Sequence, residues 1–451
     1  MDPSTFRYLG STPCSCGRCR RVVTERIHLH EELASRLHGE LDGKAGLLLG
    51  DPRTLEACGL AVAEQLRQAG DRVQTVDLEQ ELDGELHADD HAIDVAVETL
   101  SAHPEALPVA VGSGTVNDVV KAAAHQLERP YVAVATAPSM NGYTSAIAAI
   151  TREGLKGTWP STPPVAVLAD PEVLAHSPRR LQISGLADLL SKPVSSADWK
   201  MGHLLWDEPY CPVPAEMAGR AVDRAVSVAS RLPDEDPEAS EVLFDALLLS
   251  GISMAVAGTS SPASGGEHLI SHYLDMTAHC APGGPRKPAL HGEQVGVGTA
   301  ISTRLYRALL ARGQDEIDWG RAAAEAPSIE AVPEWLDQAE YLPGVLRQQF
   351  MHQSRKKLER LGSPSERVGR IRQRWEELRD TLEPSLRDAE RYGEVLPVVD
   401  APASAADLGV KPRELSLAYR LGRFVRDRYT ILDLAGDLGL ILELEDEVLP
   451  G

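Results

Sequence analysis

The sequence predicts an α/β amino-terminal domain built on a parallel sheet, followed by an all-α carboxyl-terminal domain. Short apolar runs alternate with amphipathic stretches as far as about residue 175, and long helical patterns with capping signals follow. The chain has 451 residues, more than one compact core contains, since domains span roughly 100–200 residues. We therefore expect an amino-terminal arm over residues 1–40, an α/β domain over 41–176 and a helical domain over 177–451.

Each element of the first domain follows from its hydrophobic period. GLLLG predicts a strand, TLEACGLAVAEQLRQAG a helix and RVQTVDL a strand, and HAIDVAVETLSAH predicts the next helix. LPVAVGSG and YVAVATAP predict two more strands, with the helix VNDVVKAAAHQL between them. Strands and helices that alternate at this spacing indicate βαβ units, whose parallel sheet is covered on both faces.

The second domain begins at a helix-start signal. Ser177 and Pro178 have the pattern of an N-cap followed by proline in the first helical turn. Strand-like runs nearly disappear after this point, and residues 345–395 are rich in charges at helical spacing. We therefore expect helices throughout this domain, and we find no internal repeats.

Charge and composition exclude several classes of function. Asp and Glu outnumber Lys and Arg 67 to 45, which gives a net charge of -22, so the surface should repel nucleic acid and anionic lipid. No apolar run reaches the roughly 18 residues of a membrane span, and the start MDPSTFRYLGSTPCSCGRCRR lacks the core of a signal peptide. We therefore expect a cytoplasmic protein with neither nucleic acid nor membrane as a partner.

A glycine-rich turn is the first candidate for chemistry. Gly112, Ser113, Gly114 and Thr115 follow the strand PVAV and open a helix. Such a turn lets backbone amides and a helix N-terminus approach a pyrophosphate. The pattern is not GxGxxG, and many strand-to-helix turns contain two glycines for steric reasons alone. Asp51, at the tip of the first strand, is a second cofactor candidate that could equally cap the following helix.

The loop TAPSMNGYTS, residues 136–145, is the second candidate and follows the next strand. Ligands of open α/β sheets bind beyond the carboxyl ends of the strands, so its small hydroxyl residues are well placed for a cofactor and a substrate. A loop rich in Ser, Asn and Gly is nevertheless most often only a loop.

Asp188, His268, His272 and His291 form the strongest group of candidates. One carboxylate and two imidazoles suit zinc or another borderline divalent ion, and three protein ligands leave a position open for a substrate oxygen. His268 and His272 are four residues apart and face one side of a helix, and His291 lies at the expected start of the next helix. Against this interpretation, a histidine is more often a surface or core residue than a ligand, and this chain has 14.

Three of the six cysteines, Cys14, Cys16 and Cys19, crowd together near the amino terminus. Six cysteines in a chain of this size do not indicate a disulfide framework. Three thiolates with His28 or His30 could close a small tetrahedral zinc site. The alternative is three reduced cysteines on a mobile amino-terminal segment.

Six motifs in order carry a resemblance to a known family: GSGTVNDVVK, TAPSMNGYTS, DLLSKPVSSADWK, SGGEHLISHYLDM, LHGEQVGVGT and RYTILDLAGDLGL. Together they resemble the glycerol-1-phosphate dehydrogenase family, within the iron-containing alcohol dehydrogenase and dehydroquinate synthase-like superfamily. The resemblance runs from about residue 40 to the carboxyl end. It implies a dehydroquinate synthase-like fold, with an α/β domain that binds the nicotinamide cofactor and a helical domain that binds metal and substrate.

The resemblance also implies roles for individual residues. The metal ligands fall on Asp188, His268 and His291. His272 takes the place of a substrate-contacting histidine, and Asn141, Asp188 and Lys192 fall on further substrate positions. The implied cofactor contacts are Gly114, Thr115, Val116, Asn117, Asp118, Thr136, Ala137, Pro138, Ser139 and Ser145.

Two departures from the family pattern concern the substrate. Asn141 stands where the family usually has an aspartate, in a pattern like SMDGY, so a negative charge is replaced by a neutral amide. The stretch that usually reads GDLLGK is ADLLSK here, although Asp188 and Lys192 are kept. These differences leave the identity of the substrate open.

We expect a homo-oligomeric enzyme that reversibly reduces dihydroxyacetone phosphate to glycerol 1-phosphate. It would use NADH or NADPH and one divalent metal, zinc first and nickel or iron as alternatives. His272 could relay the proton, and Lys192 and the pair Arg286 and Lys287 are the nearest cations for the phosphate. The alternatives are another polyol, a phosphonate or an unphosphorylated ketone as substrate, a dehydroquinate synthase-like lyase, and a non-catalytic binding protein.

Overall fold

The amino-terminal part of the chain forms a six-stranded sheet. The computed structural model of the protein describes residues 7–12, 14–29, 32–152, 155–282 and 284–449. The strands are β1 (Arg26–Leu29), β2 (Gly46–Gly50), β3 (Val73–Asp77), β4 (Leu107–Gly112), β5 (Val132–Ala135), β6 (Ile147–Arg152), β7 (Leu155–Pro160) and β8 (Ala166–Ala169). The sheet order is β1-β8-β5-β4-β2-β3, and every neighbouring pair is parallel. The predicted parallel sheet is therefore confirmed.

Helices alternate with these strands. They are α1 (Leu33–Leu41), α2 (Pro52–Thr54), a π-helical turn at Leu55–Gly59, α3 (Leu60–Gln68), α4 (Leu78–Leu82), α5 (Asp90–Ala102), α6 (Gly114–Gln126), α7 (Pro171–Ala175) and α8 (Arg179–Leu190). Leu48, Val109 and Val134, from three strands of the sheet, are fully buried in the core on one of its faces. β2, β4 and β5 are continuous apolar runs, which is typical of strands in a parallel sheet that helices cover on both faces.

Two strands of the sheet, β1 and β8, were not expected from the sequence. β1 lies within residues 1–40, which we interpreted as an arm, and it pairs with β8 from Arg26 through Leu29. The sequence of this strand, RIHL, is not an apolar run, so only its pairing reveals it. The segment that we interpreted as an arm therefore contributes one strand to the sheet. β6 and β7, also not expected, form a separate antiparallel pair.

Helices make up the rest of the regular structure. They are α9 (Lys192–Trp206), α10 (Pro212–Val228), α11 (Pro237–Ala257), α12 (Gly266–Thr277), α13 (His291–Leu310), α14 (Trp319–Glu325), α15 (Val332–Asp337), α16 (Gly344–Leu361), α17 (Pro364–Gln373), α18 (Trp375–Gly393), α19 (Pro412–Leu421), α20 (Ile431–Asp437) and α21 (Glu445–Val448). Short 3-10 helices occur at Ala229–Asp234, Ala278–Cys280, Gln314–Glu316, Leu396–Val399 and Gly422–Phe424. No strand follows β8 in the part of the chain that is described, which confirms the predicted helical carboxyl-terminal region.

The chain forms two compact units whose boundary differs from the one we placed after residue 176. The first unit extends to Leu189 and also includes Val213–Thr259, and the second contains Leu190–Pro212 and the chain from Ser260 onward. Relative to the predicted boundary, the first unit thus gains α8, α10 and α11. α11 packs against α7, which directly follows the last sheet strand, so these helices join the α/β unit although the sequence pattern around them is helical.

α11 contradicts one expectation from the sequence. We expected no segment to have the length and apolar composition of a membrane span, but α11 has both. Most of this helix is buried inside the protein, and Leu247, Leu248 and Leu249 are fully buried. A helix that is apolar on every side is typical of a protein core as well as of a membrane.

Candidate active site

The turn between β4 and α6 presents an uncapped helix N-terminus. β4 ends at Gly112, Ser113 occupies the N-cap position, and α6 begins at Gly114. The Ser113 side chain makes no capping hydrogen bond to the first turn. Backbone N–H groups in the first turn of a helix have no partner within the helix, and the helix dipole adds positive potential there. The turn is therefore suited to bind an anion such as a phosphate.

The two glycines of this turn have different surroundings. A Cβ atom added to Gly112 would lie 2.5 Å from Cβ of Val116, so the close packing of α6 against the end of β4 requires glycine there. A Cβ atom added to Gly114 would meet only Cγ of Met140, at 3.8 Å. The packing of the protein itself therefore does not require glycine at position 114, which leaves the approach of a ligand as a reason for it.

The loop after β5 is attached to this turn. β4 and β5 are neighbours, with Gly112 paired to Ala135. The Ser113 and Ser139 hydroxyl groups are hydrogen bonded to each other, and the Tyr143 hydroxyl donates to the carbonyl oxygen of Gly112 at 3.2 Å. Two of the predicted cofactor segments thus lie together at the carboxyl edge of the sheet.

The side chains of several predicted cofactor residues already have partners in the protein. Asn117 accepts a hydrogen bond from the Tyr131 hydroxyl at 3.2 Å, and Asp118 accepts one from the backbone N–H of Ala149 at 3.0 Å. The Ser145 hydroxyl donates to the carbonyl oxygens of Gly142 and Ile147. The remaining members of the set lie on α6 or in the loop after β5; they are Thr115, Val116, Thr136, Ala137 and Pro138. Cofactor contact at any of these positions stays a prediction.

Asp51 lies at the end of β2 and caps the helix that follows. Its carboxylate accepts from the backbone N–H groups of Arg53 and Thr54 at 2.9 and 3.0 Å. The Thr54 hydroxyl in turn accepts from the Asp51 backbone N–H, which completes a capping box. The capping role we considered is therefore present, and a cofactor contact at Asp51 stays a prediction.

Helix α8 lies directly against the loop after β5. A Cβ atom added to Gly185 would lie 2.0 Å from the carbonyl oxygen of Pro138, so only glycine permits this contact. Asp188 lies about one turn farther along the same helix, and only 1% of its surface is exposed. Gly185 thus allows α8 to pack closely against this loop, and this packing sets the position of Asp188.

Three histidines lie together on α12 and α13. His268 and His272 lie on α12 with ring centroids 6.1 Å apart. His291 is the first residue of α13, as predicted, and its ring centroid lies 5.2 Å from that of His268 and 5.8 Å from that of His272. The close approach of the two helices depends on Gly298, because a Cβ atom there would lie 2.5 Å from the Glu267 carbonyl oxygen.

Asp188, His268 and His291 each offer a ligand atom, and these three atoms lie within 4.8 Å of one another. The structure thus brings together the three residues that the sequence predicts as metal ligands. One carboxylate and two imidazoles are a donor set that suits zinc and other borderline divalent ions. His268 is almost completely buried, and His291 is partly exposed. The residues present therefore fit a metal ion.

Glu267 orients the first of these histidines, and the sequence analysis missed it. A Glu267 carboxylate oxygen lies 2.7 Å from Nδ1 of His268, and the same oxygen accepts from the backbone N–H of Gly265 at 2.8 Å. A proton on Nδ1 leaves Nε2 as the lone pair for a metal, which is the usual arrangement around a ligating histidine. The acidic residue directly before His268 in SGGEHL was the available signal.

Asp198, on α9, supports the start of α12 from the other side. It accepts hydrogen bonds from the Tyr306 hydroxyl at 2.5 Å, the Gly266 N–H at 2.6 Å and the Ile431 N–H at 2.7 Å. Complete burial, together with the nearby Glu267 carboxylate, raises the pKa of Asp198 to about 8. Through these three hydrogen bonds Asp198 connects α9, α12, α13 and α20.

The predicted substrate residues have defined neighbours. The Asn141 amide donates to the Ser250 hydroxyl at 3.4 Å. The Lys192 ammonium group is buried and donates to the Ala263 carbonyl oxygen at 3.1 Å. Arg286 forms an ion pair with Glu414 at 2.8 Å, whereas Lys287 is exposed. Arg286 is therefore a weaker candidate for binding a phosphate than the sequence spacing indicated.

Comparisons with known proteins found related sequences. The family model described as iron-containing alcohol dehydrogenase matches residues 29–178. A glycerol-1-phosphate dehydrogenase (NAD(P)+) from Bacillus licheniformis is 33% identical over 303 residues, which cover 66% of this chain and 74% of that protein. The enzyme of the same name from Geobacillus stearothermophilus is 31% identical over 349 residues, which cover 74% of this chain and 85% of that protein.

Solved structures show the same fold at lower sequence identity. A probable glycerol dehydrogenase from Sinorhizobium meliloti superposes with a TM-score of 0.60 and 17% identity, covering 94% of this chain and 98% of that chain. The NADH-dependent butanol dehydrogenase A from Thermotoga maritima superposes with a TM-score of 0.58 and 15% identity, covering 94% and 97%. The expected fold class is therefore confirmed.

Proposed function

Because the chain belongs to the glycerol-1-phosphate dehydrogenase family, we propose that it reversibly reduces dihydroxyacetone phosphate to glycerol 1-phosphate with NADH or NADPH. The observation that carries this proposal is the convergence of Asp188, His268 and His291, whose ligand atoms lie within 4.8 Å of one another. Relatives that carry this name are about one-third identical to the chain across most of their length.

The three residues would hold one divalent metal ion, for which zinc is our first choice and nickel or iron are alternatives. Bound there, the ion would supply Lewis acidity to the carbonyl oxygen of the substrate. Glu267 keeps the His268 ring in one orientation through its contact with Nδ1. Three protein ligands leave at least one coordination position for the substrate.

The turn between β4 and α6 would bind the pyrophosphate of the dinucleotide. Its uncapped N–H groups and the space at Gly114 support this role. The nicotinamide would supply the hydride, and this chain contributes its binding and orientation. The Ser113–Ser139 hydrogen bond keeps the turn and the loop after β5 in a fixed relation.

His272 is the residue we propose for proton transfer. Its ring lies 5.8 Å from the His291 ring, centroid to centroid, and the side chain is partly exposed. An imidazole has an ordinary pKa of roughly 6.5, so it can hold and release a proton near neutral pH. A proton passed from His272 to the developing alcohol oxygen would complete the reduction.

The phosphate of the substrate must be bound against a net charge of -22. Lys192 and Lys287 are the cations we propose for this role, and the buried ammonium group of Lys192 would act at short range, where salt screens it least. The cytoplasmic location and homo-oligomeric state expected from the sequence stay proposals as well.

A substrate panel assayed with NADH and NADPH on metal-analysed protein tests the proposed function. Dihydroxyacetone phosphate should give the highest kcat/KM and consume one nicotinamide per product. A reaction of a sugar phosphate without net consumption of NADH would instead place the enzyme with dehydroquinate synthase-like lyases. No turnover of any ketone by protein that contains metal would contradict the proposal.

Asn141 supports a second candidate, a dehydrogenase of another polyol, a phosphonate or an unphosphorylated ketone. Its neutral amide replaces the carboxylate usual in the family and is hydrogen bonded to Ser250. A carboxylate at this position would accept hydrogen bonds from substrate hydroxyl groups more strongly than an amide does. A higher kcat/KM for one of these substrates than for dihydroxyacetone phosphate would favour the second candidate.

A further inference from the structure

A loop near the amino terminus brings three thiol groups together. The sulfur of Cys14 lies 3.0 Å from that of Cys16 and 2.9 Å from that of Cys19, and the sulfurs of Cys16 and Cys19 are 3.5 Å apart. These distances exceed the roughly 2.05 Å of a disulfide bond, so the three sulfur atoms are not joined to one another. The loop is outside the segment matched by the family model.

Burial of apolar side chains does not explain this convergence. Among described positions of the loop, residues 14–20 are exposed or only partly buried. The base of the loop is closed by backbone hydrogen bonds, from Val22 N–H to the Ser11 carbonyl and from Gly10 N–H to the Thr24 carbonyl. A short segment without a core needs another source of order, which in small domains is often a disulfide or a metal ion.

A fourth thiol completes the group. Cys211 directly precedes α10 and is buried, and its sulfur lies within 4.8 Å of the sulfurs of Cys14, Cys16 and Cys19. A tetrahedral zinc site with Zn–S bonds of about 2.3 Å has sulfur atoms about 3.8 Å apart, so small shifts would fit an ion among these four. We propose that the four cysteines bind a structural zinc ion.

The fourth ligand differs from the one considered in the sequence. His28 lies on β1, and its Nε2 is 3.1 Å from a carboxylate oxygen of Glu40. His30 lies outside the described residues. Cys211 is almost 200 positions from Cys14 in the chain, so no local spacing could have indicated it. Four thiolates form a closed site, which is typical of structural rather than catalytic zinc.

The backbone and the charges of this loop are suited to thiolates that bind a metal ion. Gly17 has a φ of +73°, a conformation that favours glycine, and the next N–H, that of Arg18, donates to the Cys16 sulfur at 3.4 Å. Hydrogen bonds from backbone N–H groups to metal-bound sulfur stabilise such sites. A zinc ion with four thiolate ligands is a net anion, and Arg18, Arg20 and Arg21 provide positive charge in the same loop.

Metal analysis of full-length protein tests this site. Wild type and Cys16→Ala would be produced in zinc-supplemented medium and purified with reductant and without chelator. We expect the variant to contain one zinc ion fewer per chain and to keep its kcat, because Cys16 is exposed and outside the proposed active site. Cys280→Ala, which changes a cysteine outside the cluster, should match wild type.

Cobalt(II) supplies a second measurement that does not depend on activity. Wild type loaded with cobalt should show the strong thiolate-to-metal charge-transfer absorption, which Cys16→Ala and Cys211→Ala should lose. His268→Ala should keep this absorption, so a failure of the active-site proposal is distinguishable from a failure here. Equal zinc content in wild type and both cysteine variants would overturn the inference. So would a disulfide among these cysteines in freshly reduced wild type after reductant is removed.

Discussion

The two groups of potential metal ligands differ in the way the protein holds them. Asp188, His268 and His291 lie on helices, at positions set by close backbone packing at Gly185 and Gly298. The cysteine cluster, Cys14, Cys16, Cys19 and Cys211, lies outside regular secondary structure, with three members on a loop that has no apolar core. Three donors on rigid helices suit catalysis at an open position, whereas a closed set of four thiols, three of them on one loop, suits an ion that replaces a missing core.

The largest effect should come from His268→Ala. Loss of one of three ligands should remove the metal and lower kcat/KM by at least about 10³-fold, since Lewis acid stabilisation contributes several kcal/mol. Steady-state kinetics with metal analysis measure both quantities on the same sample. His279→Ala, a nearby histidine outside the cluster, is the matched control and should behave as wild type. Full activity of the variant without bound metal would show that Asp188, His268 and His291 do not hold a catalytic metal ion.

Glu267→Gln should weaken the same site without removing a ligand. The carboxylate contacts Nδ1 of His268 at 2.7 Å, and loss of such a partner lowers metal affinity about 10–100-fold. Competition with a chromogenic chelator measures this affinity. The cysteine cluster should keep its ion in this variant. An unchanged affinity at the active site would show that the His268 ring is held by other contacts.

Substitutions of the two glycines in the turn between β4 and α6 should have different effects, one on cofactor binding and the other on stability. Gly114→Ala should raise the Kd of NADH or NADPH about tenfold, equivalent to about 1.4 kcal/mol, because the added methyl group would block the close approach of a phosphate. Fluorescence titration of the cofactor measures this change. Gly112→Ala should instead destabilise the fold by about 1–3 kcal/mol, because the added atom would meet Val116. Equal Kd values for wild type and Gly114→Ala would contradict the phosphate assignment.

Asn141→Asp should have the smallest effect on the site as a whole. The substitution should change the order of kcat/KM values among substrates while leaving the metal content as in wild type. Its neighbour Ser250 can donate to a carboxylate as well as accept from the amide, so the fold should tolerate the change. Asn141→Ser, which removes the amide without adding charge, is the control. The same substrate ranking in wild type and Asn141→Asp would show that position 141 does not select the substrate.

The strands and helices that were predicted correctly are those with a clear local sequence pattern. β2, β4 and β5 are apolar runs between clear helical stretches, and the start of α13 at His291 follows a loop rich in glycine and proline. β1, whose sequence is RIHL, is recognised only by its pairing with β8. The division into units, with α8, α10 and α11 in the first, depends on packing in the folded chain, which no periodicity encodes.

The functional residues also divide into those that local sequence pattern indicates and those that only the folded chain brings together. The metal ligands lie in motifs that could be recognised. Asp198 also lies in such a motif, DLLSKPVSSADWK, but its partners come from distant segments, and Cys211 is likewise distant from the other three cysteines. Asp198 in particular acts through two backbone N–H groups and the Tyr306 hydroxyl, and its raised pKa depends on burial that only the folded chain provides. Glu267 is the intermediate case, because it is adjacent to a predicted ligand and was missed only for lack of an expected role.

Asp188→Asn gives the most direct test of the catalytic metal centre. The substitution keeps the size of a buried side chain and removes the one negative charge among the three donors. Metal content and kcat/KM with dihydroxyacetone phosphate would be measured on the same preparation. We predict that one metal ion per chain and the activity are lost together, while the cobalt absorption of the cysteine cluster is kept. Stoichiometric metal at the active site with unchanged kcat/KM in Asp188→Asn would contradict this assignment.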